Sequence, residues 1–291
     1  MRYGLVGTGY WAAEVHAQGL TTSADADLIG VWGRDAAKVS ALAERYNVAA
    51  YRDPGGLFAD VDAVAFAVPP DVQAALAVEA ATAGCHLLLE KPIALGSDAA
   101  RRIADAADAH GVATVVFLTS RFVPAVADWL EETRARGGWW GARSTILTSV
   151  LSTDSPFAAS PWRHTQGALW DIGPHALSLT VAVLGPVTRI TGVRGPRDSV
   201  QLAAGHSEGG VSSVLLSLDA PPAAEHRGFE VFGEHGWAPA PTDHGVTPVE
   251  AFCHAAAALA TAANGGTPHP CDVHLGVELV ENLERAQDEL R

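Results

Sequence analysis

Residues 3–12 read Tyr3-Gly4-Leu5-Val6-Gly7-Thr8-Gly9-Tyr10-Trp11-Ala12. A short apolar run ends in glycine, a G-x-G-x-x-A turn follows, and an alanine-rich segment opens a helix. This is the strand–turn–helix context in which such a turn holds a dinucleotide. Gly7 permits the tight turn, Gly9 lets backbone approach a pyrophosphate, and Ala12 leaves room for close helix–strand packing. A helix N-terminus adds unpaired N–H groups and a favourable dipole for phosphate. Gly7, Thr8, Gly9, Tyr10, Trp11 and Ala12 are therefore the first cofactor-binding candidates.

The surrounding sequence repeats this rhythm. Apolar runs recur at Leu28–Trp32, Ala63–Val68, His86–Leu89 and Ala113–Leu118, the third run from the start being stopped by Pro69-Pro70. Between them lie helix candidates at Ala12–Gln18, Ala36–Tyr46, Val72–Ala83 and Asp98–His110. Near-continuous apolar strands suit a parallel sheet covered on both faces. Residues 1–120 thus read as a doubly wound α/β domain. From residue 121 the pattern changes. A helix is expected over Arg121–Arg136, and strands over Arg143–Val150, Arg189–Val193, Val200–Ala204, Gly210–Leu218 and Phe229–Phe232. Further helices are expected over Pro174–Leu184, Val249–Ala263 and Val273–Leu290. Residues 121–291 read as an α+β domain with a mostly antiparallel open sheet.

Composition narrows the function classes. The chain has 291 residues, 48% of them hydrophobic, with 19 Lys+Arg against 33 Asp+Glu and a formal net charge of −14. Nucleic-acid binders carry a basic footprint, so nucleic acid is not an expected partner. No window of about 18 uninterrupted apolar residues suggests a membrane span, and a cytoplasmic location is expected. Cys85, Cys253 and Cys271 form no C-x-x-C pair, which fits a reducing compartment. Neither His164 with Asp171 and His175 nor Cys253 with His254 has the spacing of a structural zinc site, and no metal is expected. Of the 19 basic residues, only Lys38 and Lys91 are lysine.

Lys91 stands in Glu90-Lys91-Pro92, just past the fourth apolar run. In open α/β sheets the ligand crevice lies outside the carboxyl ends of the strands, so a lysine here faces ligand. Pro92 restricts the conformation of Lys91, and Glu90 can orient or balance the ammonium. At the end of the second run, Arg34 takes the place about 20 residues past the turn where NAD enzymes carry an acid for the ribose. A guanidinium there suits a 2′-phosphate and favours NADP. The adjacent Asp35 keeps NAD open. Further on, Asp171 and His175 stand four apart in Asp171-Ile172-Gly173-Pro174-His175. On one helix they would share a face as a proton-transfer pair. The alternative is an N-capping aspartate beside a packed histidine.

Taken in order, these segments resemble the glucose-fructose oxidoreductase / inositol dehydrogenase / rhizopine catabolism protein family. The likeness is carried by the glycine turn, Glu90-Lys91-Pro92, Trp162-Arg163, Gly167-Ala168-Leu169-Trp170, Asp171 through His175, and Glu230–Gly236. It implies a Rossmann domain, then an α+β domain that binds substrate and forms a homodimer or homotetramer. It implies an NAD(P)-dependent oxidoreductase acting on a secondary hydroxyl or carbonyl of a sugar, polyol or related small molecule. By resemblance His175 is the general acid/base, Lys91 orients the substrate oxygen, and Asp171 binds substrate or supports the histidine. Pro69, Glu90 and Lys91 itself join the cofactor candidates. Arg121, Phe122, Trp162 and Arg163 join the substrate candidates, with salt bridging or packing as their plainer roles. A reductase of a keto-sugar or imine, or a dinucleotide-binding regulator without turnover, are the rival readings. Leu151–Arg163 reads as a compact connection in a second domain shorter than the family's usual one.

Overall fold

The computed structural model describes residues 1–152, 154–158, 160–242 and 245–290. They form two compact units, Met1–Phe122 with Val246–Val277, and Val123–Gly245 with Glu278–Arg291. A single cut at residue 120 therefore assigns 246–277 to the second unit, whereas this segment packs with the first.

The first unit is built on a six-stranded parallel sheet, in the order β3-β2-β1-β4-β5-β6. Its strands are β1 (Arg2–Val6), β2 (Asp27–Trp32), β3 (Ala49–Ala50), β4 (Ala63–Phe66), β5 (His86–Glu90) and β6 (Thr114–Phe117). This is the Rossmann strand order, whose direction of winding reverses beside β1 and so opens a ligand crevice there. β4 and β6 are buried at every position, as expected of strands covered on both faces.

The helices start and stop where local chemistry directs. A π-helical segment, Ala12–Ala17, runs into α1 (Gln18–Thr22). Asp35 caps α2 (Ala36–Tyr46), which ends on Asn47 in the left-handed region. α3 (Pro54–Ala59) is capped by Asp53. α4 (Pro70–Thr82) buries Ala74, Ala77, Ala80 and Ala81, small residues that allow close packing. α5 (Ser97–His110) ends at Gly111 with φ 63°, a conformation glycine adopts without strain. β3 and α3 escape the sequence pattern. β3 has only two residues, both exposed, and Asp53-Pro54-Gly55-Gly56 carries the composition of a turn.

The expected helix over Arg121–Arg136 is two pieces. Thr119–Phe122 is a 3-10 turn of the first unit, and α6 (Pro124–Arg136) starts the second. Pro124 explains the break, since proline favours an extended residue before it and a helix start at its own position. The second unit carries α7 (Pro161–Asp171), α8 (Gly173–Leu184) and β7 (Trp139–Leu147). Four more strands are β8 (Val187–Arg194), β9 (Val200–His206), β10 (Val211–Ser217) and β11 (His226–Gly233), and β12 (Gly236–Pro239) completes the sheet. The sheet order is β12-β11-β7-β10-β9-β8, with only β7 and β10 parallel. Pro161–Leu184 has the length and apolarity of a membrane span, but it kinks at Gly167 and 72% of its most apolar window is buried.

The chain then returns to the first unit. α9 (Pro248–Ala263) opens with a capping box formed by Thr247 and Glu250. The division between units falls inside α10 (Val273–Glu289), after Val277.

Candidate functional site

At the end of β1, Gly7 has φ +133°, and a Cβ there would stand 2.4 Å from the carbonyl oxygen of Ala67. Only glycine meets both demands. Gly9 is the opposite case. A Cβ there would touch nothing within 4 Å, so the backbone is open to an incoming group. Its carbonyl accepts from Ala13 N–H at 3.0 Å as the helix begins. Ala12 is fully buried and Tyr10 is exposed. Tight turn, open backbone and helix start together fit the pyrophosphate of a dinucleotide. Pro69 stands at the N-cap of α4, beyond the C-terminal end of β4.

Past β2, Asp35 Oδ1 accepts from the amides of Ala37 (3.0 Å) and Lys38 (3.2 Å). The carboxylate serves as the cap of α2. Arg34 beside it is exposed.

Lys91 follows β5 directly and is half-buried, joined to Pro92 by a cis peptide bond. Its neighbourhood holds two residues absent from the sequence reading. Gln73 is fully buried and hydrogen-bonds the backbone around the lysine. Its Oε1 accepts from Glu90 N–H at 2.8 Å, and its Nε2 donates to the carbonyls of Glu90 (2.8 Å), Ile93 (3.2 Å) and Pro92 (3.4 Å). The second is His16, also fully buried. Its Nε2 meets Glu90 Oε1 at 3.0 Å, and Trp11 Nε1 donates to the same oxygen at 2.7 Å. Glu90 Oε2 accepts from the backbone N–H of Lys91 at 3.2 Å. One signal could have found both: a polar side chain on the apolar face of an alanine-rich helix must be satisfied inside the fold.

Arg121 and Phe122 lie on the 3-10 turn after β6, and both are buried. Phe122 stacks on His269, with ring centroids 4.5 Å apart at 25°. His269 Nδ1 accepts from Cys271 N–H at 3.0 Å. Burial, and then the Arg121 charge, bring the His269 imidazole down to about 4. Between about 4 and its ordinary pKa near 6.5, the unfolded chain binds a proton here that the folded chain does not. Stability is therefore held above pH 6.5 and lost as pH falls toward 4. Urea titration should show wild type losing stability between pH 7 and pH 4.5. His269→Asn, which keeps an acceptor but does not titrate, should lose less. Equal losses would contradict the assignment.

In the second unit, Asp171 is buried and accepts from Arg163 Nε at 2.8 Å. The guanidinium of Arg163 lies over the rings of Phe157 (4.5 Å) and Trp162 (4.8 Å). Arg163 thus holds an acid and stacks on two aromatics, a geometry that lysine cannot reproduce. Asp171 closes α7, and half-buried His175 is the third residue of α8. Ile172 joins the two helices in αR conformation, and its carbonyl accepts from Ala176 N–H at 3.3 Å. Asp171 does not cap α8, since Ile172 occupies that position. Upstream, Gly167 kinks α7 with φ 68° and ψ −167°. The Asp198 carboxylate re-caps the chain beyond the kink, accepting from Ala168 N–H at 2.7 Å. Burial raises the Asp198 carboxyl above its ordinary range.

Two family models match the chain. One, an oxidoreductase family with an NAD-binding Rossmann fold, covers residues 1–118, and the other, the GFO/IDH/MocA C-terminal domain, covers residues 136–238. The chain belongs to the GFO/IDH/MocA family of oxidoreductases. A curated member, the rhizopine catabolism protein MocA of Rhizobium meliloti, is 28% identical over 285 residues, spanning 92% of this chain and 88% of that protein. In fold, the chain is similar to the UDP-N-acetylglucosamine 3-dehydrogenase of Acidithiobacillus ferrooxidans. The TM-score is 0.84 at 20% identity, covering 100% of this chain and 97% of that one. It is also similar to a levoglucosan dehydrogenase solved with NADH and levoglucosan, with TM-score 0.80 at 18% identity over 99% and 96% of the two chains. The order of Rossmann and sheet domains is the family's. Among the described residues, no three His, Cys, Asp or Glu side chains are grouped to hold a metal ion.

Proposed function

We propose that this protein moves a hydride between a nicotinamide dinucleotide and the secondary hydroxyl or carbonyl carbon of a sugar, polyol or related small molecule. The observation that carries the reading is Lys91 at the carboxyl end of β5, its backbone bonded to Glu90 and through it to the helix of the glycine turn. When bound, the nicotinamide supplies the hydride donor or acceptor. The Lys91 ammonium donates to the substrate oxygen and stabilises the negative charge that develops there. His175 takes the hydroxyl proton in oxidation and returns it in reduction, as an imidazole can near neutral pH. Asp171, held by Arg163, is assigned to substrate binding or histidine support.

A panel of sugars, polyols and carbonyl compounds, followed at the nicotinamide absorbance in both directions, tests this. Tight dinucleotide binding without turnover on any compound would instead favour a regulatory protein.

The preferred dinucleotide in this reading is NADP. Arg34 is exposed beyond β2, while the Asp35 carboxylate is engaged at the cap of α2. Arg34→Ala should weaken NADPH binding by about 10-fold, the worth of one charge-assisted hydrogen bond, and leave NADH binding nearly unchanged. Fluorescence titration with both dinucleotides measures it. Equal weakening of the two would remove the basis for preferring NADP.

A further inference from the structure

We propose that His16 and Trp11 are positioning residues that tie the glycine turn to the lysine segment through the Glu90 carboxylate, so that loading the turn steadies Lys91. The proposal deepens the function given above and rests on its assignment of Lys91, but the coupling itself can be measured without a substrate.

Local winding makes the connection possible. Trp11 and His16 are five residues apart. In an α-helix, at 3.6 residues per turn, residues five apart point about 140° away from each other. Ala12–Ala17 is π-helical, and π winding places residue i+5 about one turn on. Both side chains therefore reach one acceptor, Glu90 Oε1, at 2.7 and 3.0 Å. A π segment is an uncommon element that recurs at functional sites, and here it has a definable consequence.

The bond is well enclosed. The His16 side chain is 0% exposed and that of Glu90 13%. The His16 ring packs on Phe252 at 4.3 Å and meets Phe117 edge-on at 6.1 Å. Its Nδ1 is buried and has no hydrogen-bond partner, so the proton belongs on Nε2, where Glu90 accepts it. A histidine with one nitrogen left unsatisfied in the interior is costly as packing material. Its Nε2–H bond to Glu90 accounts for its presence. From Glu90 the path is short, since Oε2 accepts from Lys91 N–H at 3.2 Å. Trp11 stands two residues past Gly9, in the first helical turn after the open backbone. A displacement of that turn is transmitted to Glu90 through a direct bond.

Amide hydrogen exchange over residues 90–95 provides the test, with NADH and NADPH as probes. In wild type, saturation with dinucleotide should slow exchange there. His16→Leu should still bind dinucleotide within about 3-fold of wild type yet lose the slowing. His16→Gln, whose amide can occupy the place of Nε2–H, should restore it, which a purely structural contribution would not predict. Should His16→Leu fail to fold, Trp11→Phe removes the other donor while keeping an aromatic ring, and the same loss is expected. The proposal is overturned if wild type shows no slowing, or if the donor-deleting variant that folds retains it. Turnover of Lys91→Ala separates the two levels. Full activity in that variant removes the assigned role of Lys91, whatever the exchange result for His16.

Discussion

Lys91→Ala is expected to lower kcat by about 100- to 1,000-fold, the range seen when one donor to a developing oxyanion is removed. The dissociation constant for NADH or NADPH should change by no more than about 3-fold. This split follows from position. In the proposed function the glycine turn is assigned the dinucleotide contacts and the ammonium the substrate oxygen. Lys91→Arg should not rescue turnover. A guanidinium is wider, planar and spreads its charge, while an ammonium is a compact charge that can point into a small space. The sequence itself makes this comparison informative, because the chain uses 17 arginines and only two lysines. Steady-state rates on whichever compound the panel identifies, with fluorescence titration of the dinucleotide, measure both effects. A loss of less than about 5-fold, or full rescue by arginine, would remove Lys91 from the reaction.

The Rossmann sheet was legible because each strand carries its signal locally. Ala63–Phe66 is an uninterrupted buried run, and α2 spans the expected Ala36–Tyr46 because Asp35 and Asn47 mark its two ends. The glycine turn was legible for the same reason. What escaped was non-local or too short. β3 has two residues, and the assignment of 246–277 to the first unit is a matter of tertiary packing. α7 was missed because Pro161, Gly167 and the nearby serines imitate a loop, although Asp198, about 30 residues on, re-caps the chain beyond the kink. Asp171 and His175 fall at the join of two helices, which their spacing did not show, with Ile172 between them in αR conformation. Gln73 and His16 were missed for a different reason. The local pattern can mark each as a buried polar side chain, but their partners lie 17 and 74 residues away and are not named by it.

Gln73→Met should destabilise the first unit by roughly 3 kcal/mol. The volumes are similar, so little cavity is made, and the cost is polar. Wild-type Gln73 satisfies Glu90 N–H and shares its amide protons among the carbonyls of Glu90, Pro92 and Ile93. Each buried group left without a partner costs about 1–3 kcal/mol, and partial relaxation keeps the total below the simple sum. For a unit of this size that corresponds to a fall in Tm of about 10 °C. The exposed neighbour makes a clean control, since Asp71→Asn should stay within about 0.5 kcal/mol of wild type. Function should suffer beyond the stability loss. Gln73 holds the chain on both sides of Lys91, so at a temperature where the variant remains folded kcat should fall by more than the dinucleotide affinity does. Urea unfolding at 25 °C and rates at the same temperature separate the two effects. A variant as stable as wild type would mean that the lysine segment is held without Gln73, and its hydrogen bonds would then be a consequence of that conformation and not its cause.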